Sequence, residues 1–172
     1  MKTAIQLVLI YFGFLQILAP MLMVVPCIIY LLATTGAVDK DSLMQMIIIP
    51  AQMTGILLMV IYLWKAGYIS KEKTTWSAVS PSYLGLSVVS LLSCSWLVST
   101  LISHMEWLPN IMEQTFDILQ SGWGGILAIA VAGPVLEELL FRGAITKALL
   151  KQYDPAKAIL ISAFIFGIFH IN

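Results

Sequence analysis

Five long apolar stretches, separated by short polar segments, leave this chain few structures to choose from. They cover residues 4–32, 43–64, 83–102, 123 to about 150, and 156 to the end. Inside hydrocarbon each backbone N–H and C=O must be satisfied within the protein, so apolar runs of this length become helices. A helix rises ~1.5 Å per residue, and ~20 apolar residues cross the bilayer core. The expected fold is all-α, a polytopic transmembrane helical bundle of about five spans forming a single membrane domain over residues 1–172. Only 10% of the residues are charged, against about a quarter in a soluble domain. The formal net charge is zero, which gives no basis for a nucleic-acid partner. Membrane lipid is the expected surroundings.

Lys2 precedes the first apolar run, but that run far exceeds the ~7–15 residues of a cleavable signal segment. It reads as a retained first span, bent at Pro20 or Pro26. Residues 103–121 set Trp107, Leu108, Ile111, Met112, Phe116 and Leu119 among Glu106, Glu113 and Asp117. This spacing predicts an amphipathic surface helix before the fourth span. Lys2, then Lys65, Lys71 and Lys73, then Lys147, Lys151 and Lys157 fall on the same side of five alternating crossings, while the other side receives only Lys40. Lysines collect on the cytoplasmic face. The N-terminus is therefore expected in the cytoplasm, and the protein in a bacterial cytoplasmic membrane. Cys27 and Cys94 lie inside apolar runs and read as packing residues. Gly124, Ala128 and Ala132, four residues apart, predict a close helix–helix contact.

The chemistry concentrates in Gly133-Pro134-Val135-Leu136-Glu137-Glu138-Leu139-Leu140-Phe141-Arg142-Gly143. Its apolar stretch would be ~42 Å long if helical throughout, so it must tilt, kink or emerge from a ~30 Å core. Pro134 is the expected place for a kink or a fresh helix start. A start there would put both glutamates in a first turn, where the dipole favours anions. Glu138 and Arg142 are i and i+4 and can pair along one face. Glu137 is turned by ~100° from Glu138 and does not share that alignment. A carboxylate outside the pair, in low dielectric, should have a raised pKa, which suits proton transfer with water near neutral pH.

The second element is Phe166-Gly167-Ile168-Phe169-His170-Ile171-Asn172. Glu137 lies ~15 Å along the helix from Lys147, and His170 ~20 Å from Lys157. Antiparallel neighbours thus bring the two to comparable depth, where a glutamate and a neutral imidazole can hold one water between them. Each ionisable group at mid-membrane costs ~2.5–3.5 kcal/mol on insertion scales, which favours a functional site over ornament. A buried structural ion pair is the bland alternative for Glu138 and Arg142 taken alone. Catalytic zinc takes three protein ligands. Here His-Glu-x-x-His is missing and only one histidine lies at depth, so ligand count weighs against zinc and no cofactor is expected.

Glu137-Glu138-x-x-x-Arg142 followed by Phe166-x-x-x-His170 resembles the first two motifs of the CPBP family of intramembrane endopeptidases, also called Abi. The family comprises CAAX-type prenyl proteases and bacteriocin-processing or immunity proteins. The likeness covers roughly residues 121–172, and 1–120 resemble the variable N-terminal spans. It implies hydrolysis of a peptide bond in a membrane-associated peptide or protein. Glu137 would be the general base, His170 would position the water, and Glu138 with Arg142 would form a supporting pair. Phe166 and Asn172 would contact substrate or water. The family's third motif, a histidine followed four residues later by asparagine, does not occur before Asn172. That leaves a second reading, a non-catalytic immunity or scaffold protein of the same fold. A proton-coupled transporter ranks last, because no internal repeat is present.

Overall fold

The computed structural model describes residues 1–69, 79–104 and 113–169. Among these residues the chain is helical and forms no strand. Four helices are long and apolar enough to cross a membrane: α1 (Lys2–Thr35), α2 (Lys40–Lys65), α3 (Pro81–Ile102) and α5 (Trp123–Leu150). The short α4 (Glu113–Gln120) precedes α5, and α6 (Pro155–Phe169) follows it. About five spans therefore hold, with α6 as the fifth. The short helix expected before the fourth span is present from Glu113, where Leu119 is its buried residue; residues 105–112 lie outside the described part.

The chain divides into two compact units. In one, α3 stands as a helix whose Ser80 side chain caps its start by accepting from the Tyr83 N–H, with Pro81 pre-set for the first turn. The other unit contains α1, α2, α4, α5 and α6.

In that larger unit Gly36, at φ 72°, ends α1 by donating its N–H to the Leu32 carbonyl. The left-handed conformation favours glycine there. Asp39 then starts α2, its Oδ1 accepting from the N–H groups of Asp41 (3.1 Å) and Ser42 (2.9 Å). The returning α2 presses Gly55 against α1, where an added Cβ would lie 3.0 Å from Leu15 Cγ and 3.4 Å from Ala19 Cβ. Leu7, Met59, Leu63, Leu140, Ile145 and Leu149, all essentially inaccessible, join α1, α2 and α5 in one apolar cluster. The Gly124, Ala128, Ala132 stripe faces α2 as expected: a Cβ on Gly124 would meet Ile49 Cγ2 at 3.5 Å, and Ala128 is fully buried. The N-terminal ammonium donates to Gln152 Oε1 at 2.6 Å. The chain start and the turn before α6 thus share one end of the bundle.

The fresh helix start expected at Pro134 does not occur; α5 runs through it, and Ala132 and Gly133 keep right-handed helical angles. The helix instead widens into a π turn over Ala128–Ala132, with the Gly133 N–H reaching back to the Ala128 carbonyl. The same device, Gly13–Leu18, precedes Pro20 in α1. A proline lacks an N–H and crowds the carbonyl four residues back. For Pro20 and Pro134 that carbonyl, on Gln16 or Ala130, belongs to the widened turn. Membrane helices tolerate proline through such local adjustment and through neighbours that serve the freed carbonyl. Pro50 shows the second solution: four residues before it, the Met46 carbonyl accepts from the Cys27 thiol of α1 at 3.9 Å. Cys27 therefore does more than fill space. Since no helix begins at Pro134, the glutamates do not lie in a free first turn, and the dipole argument drops out.

Two predictions follow from this packing. A Cβ on Gly125 would collide with the carbonyl group of Leu119, lying 2.6 Å from its carbon. Gly125→Ala should cost about 3 kcal/mol, the upper end for overpacking, while Gly124→Ala stays within about 1 kcal/mol; thermal unfolding in detergent checks both. The second concerns Asp39, whose carboxyl is held below its ordinary value by hydrogen bonds, first from the Ser42 side chain and then from the Ser42 backbone N–H. A depressed folded value adds stability above the unfolded pKa and loses it as pH falls through the folded one. The unfolding-temperature advantage of the parent over Asp39→Asn should be constant near neutrality and shrink below pH ~4.

Candidate active site

The segment that follows Pro134 does not return to α-helical winding for long. Gly133–Glu137 forms a single α turn, and Glu138–Thr146 then winds as a second, longer π stretch. The π geometry is uncommon in proteins and recurs at functional sites. Here it determines which side chains of α5 face α6. Thr146 Oγ1 lies 2.8 Å from Ser162 Oγ on α6. Five residues earlier on α5, and four later on α6, the rings of Phe141 and Phe166 meet edge to face at 4.9 Å and 89°. A uniformly α-helical α5 would advance about four residues per turn on both sides and would bring Arg142, not Phe141, against Phe166. The extra residue in the wide turn gives the aromatic ring the seam and leaves Arg142 exposed beside it.

Arg142 Nη1 donates to Glu138 Oε1 at 3.0 Å, and both side chains are exposed. The i, i+4 alignment read from the sequence is therefore present. It is an exposed pair within this unit, so its net contribution is small unless lipid or another segment covers it. The Glu137 carboxylate lies within electrostatic range of the Tyr11 phenol of α1. The two neighbouring carboxylates thus have different surroundings, one with a guanidinium and one with a phenol.

Between α5 and α6 opens a cleft of about 680 Å³. Its polar wall is Glu137, Glu138, Arg142, Thr146 and Ser162, and its apolar wall includes Pro134, Phe141, Ile159, Ala163 and Phe166. Four residues singled out from the sequence, Glu137, Glu138, Arg142 and Phe166, are thus brought to one cavity. His170 and Asn172 lie outside the described residues. Among the described residues no group of three His, Cys, Asp or Glu side chains converges on a point, and Glu138 is engaged by Arg142. Polar side chains thus stand beside an apolar wall, the mixed lining common to ligand clefts.

The reading of the sequence missed Phe141, Thr146, Ser162 and Tyr11. For Thr146 and Ser162 a signal existed: each is a hydroxyl within a predominantly apolar stretch, nine residues after Glu137 and eight before His170. Tyr11 carries no such mark, since only the packing of α1 on α5 brings it to the glutamate.

Phe141 and Phe166 should be energetically coupled. A double-mutant cycle with Phe141→Leu and Phe166→Leu, read by unfolding in detergent, should give a coupling of about 0.5–1.5 kcal/mol; additive losses would count against the edge-to-face contact.

The last third of the chain is similar to a known family. Residues 119–172 match the family model described as type II CAAX prenyl endopeptidase Rce1-like. The match covers α5, α6 and the residues after them, and it is consistent with the CPBP resemblance carried by the glutamate–arginine and phenylalanine–histidine motifs. No curated protein and no solved structure matches the chain. Its apolar helices and this family together make it an integral membrane protein.

Proposed function

We propose that the chain is a glutamate-dependent intramembrane endopeptidase acting on membrane-associated peptides or proteins, with CAAX-type prenylated substrates as the first class to test. The observation that supports this most is the pairing of α5 with α6. Thr146 meets Ser162, and Phe141 meets Phe166 one turn further. Four residues beyond each ring in the sequence stand Glu137 and His170. Glu137 already lines the cleft. A histidine at position 170 then supplies the second group that water activation requires.

In the proposed reaction a water is held between the Glu137 carboxylate and the His170 imidazole. Glu137 takes a proton from the water as its oxygen attacks the scissile carbonyl carbon, and the imidazole steadies the charge that develops. Collapse of the tetrahedral adduct breaks the C–N bond, and the proton held by Glu137 passes to the departing amine. Glu138 accepts from Arg142 and keeps that guanidinium from competing for Glu137, so their role is support. Asn172 is assigned a contact with substrate or water, and Phe166 forms part of the apolar wall. No step is routed through a metal, since catalytic zinc takes three protein ligands. The lysine distribution supports a cytoplasmic N-terminus and a cytoplasmic turn before α6, the side from which a substrate tail would enter.

The test is cleavage of a fluorogenic prenylated CAAX peptide by the longest natural version of the gene product in lipid nanodiscs. Glu137→Gln should lower kcat by about 10²–10⁴-fold, the range for a positioned general base. Equal cleavage by Glu137→Ala and the parent would eliminate the reading.

A further inference from the structure

Two hydroxyl residues, Thr146 and Ser162, belong to neither motif and yet sit at the seam of the cleft. Ser162 is buried, only 6% exposed, in a wall that is otherwise apolar around it. Thr146 Oγ1 lies 2.8 Å from Ser162 Oγ and also 2.8 Å from the Phe141 carbonyl oxygen, five residues back in the π stretch. A hydroxyl carries one proton and two lone pairs. A carbonyl only accepts, so when the Thr146 proton goes to Phe141, the Ser162 hydroxyl donates to Thr146. The result is a continuous chain from α6 through the Thr146 side chain to the backbone of α5 at the residue whose ring contacts Phe166.

Apolar side chains at a helix seam attract without fixing register, because one rotamer or a small slide exchanges one contact for a similar one. A half-buried hydroxyl bridge is different. In a membrane a slide would leave it unpartnered in hydrocarbon, at a cost comparable with a lost hydrogen bond. Its position matters as well. The bridge lies between the turn at 151–154 and the Phe141–Phe166 contact, so it constrains where the pairs beyond it along the seam fall. Its bond to the Phe141 carbonyl also braces the wide winding that directs Phe141, rather than Arg142, toward α6.

We infer that the Thr146–Ser162 hydroxyl bridge is a register lock for the α5–α6 pair, and that both residues are positioning residues for hydrolysis in the cleft. The inference rests on the endopeptidase reading above and adds residues that act on it through other groups. Thr146→Val and Ser162→Ala remove the hydroxyls with little change of shape, and Thr146→Ser restores one. In the nanodisc assay with the fluorogenic prenylated CAAX peptide, each removal should lower kcat about ten- to a hundredfold, the scale of small misplacements of reacting groups. KM should stay within about twofold, the double variant should lose no more than the single ones, and Thr146→Ser should return to near the parent value. Ile161→Ala, on α6 but outside the cleft, provides a control for mere loosening, with unfolding temperatures measured for all variants.

Unchanged kcat in Thr146→Val and Ser162→Ala would overturn the inference. So would independent losses that multiply in the double variant, or an equal kcat loss in Ile161→Ala at matched stability. A parent that does not cleave, or a Glu137→Gln variant that cleaves like it, removes the endopeptidase reading itself; an active parent, an inactive Glu137→Gln and indifferent hydroxyl variants remove only the register lock.

Discussion

The seam between α5 and α6 is the constraint on which the rest of the structure depends. α1 and α2 pack on one side of α5 through Leu7, Met59 and Leu63, and they provide a rigid backing. The cleft, however, exists only because α6 meets α5 along Thr146–Ser162 and Phe141–Phe166. The polar contact fixes the height of one helix against the other, and the aromatic contact fixes their facing. Neither would survive a one-residue slip.

The winding of α5 explains how one helix presents several distinct functions. A regular helix turns about 100° per residue, so Glu137 and Phe141 would share a face while Thr146, nine residues after Glu137, would point to the opposite one. Two widened turns, Ala128–Ala132 and Glu138–Thr146, break this repeat. The first accommodates Pro134 without ending the helix. The second aligns Glu137, Phe141 and Thr146 on the cleft while Arg142 stays paired with Glu138. Wide turns weaken backbone hydrogen bonding, and their persistence here is offset by side-chain links such as Thr146 to the Phe141 carbonyl.

Much of this was legible in the sequence, for identifiable reasons. Helices in hydrocarbon are dictated by length and hydropathy alone, so the spans could be read directly, with α1 and α5 starting and ending within a few residues of expectation. Local pairs were legible too: Glu138 with Arg142 depends only on spacing, and the Gly124, Ala128, Ala132 stripe only on small side chains at one period. What escaped depends on backbone winding or on distant packing. Nothing in Glu138–Thr146 announces a π turn, so the consequence for Phe141 and Arg142 could not be anticipated. Pro134 was expected to start or kink a helix; no start occurs there, and nothing in the sequence announced the widened turn that precedes it. Tyr11 reaches Glu137 only through the tertiary fold. His170 and Asn172 lie beyond the described residues, and their roles rest on the motif and on the ruler of the seam.

An experimental structure of the longest natural gene product in lipid, resolved well enough to show ordered water, would test the central claim most directly. The account predicts the Glu137 carboxylate and the His170 imidazole on opposite walls of the α5–α6 cleft, each within about 3 Å of one shared water. Side chains directed to different sides of the bundle, with apolar packing filling the space between them, would contradict it.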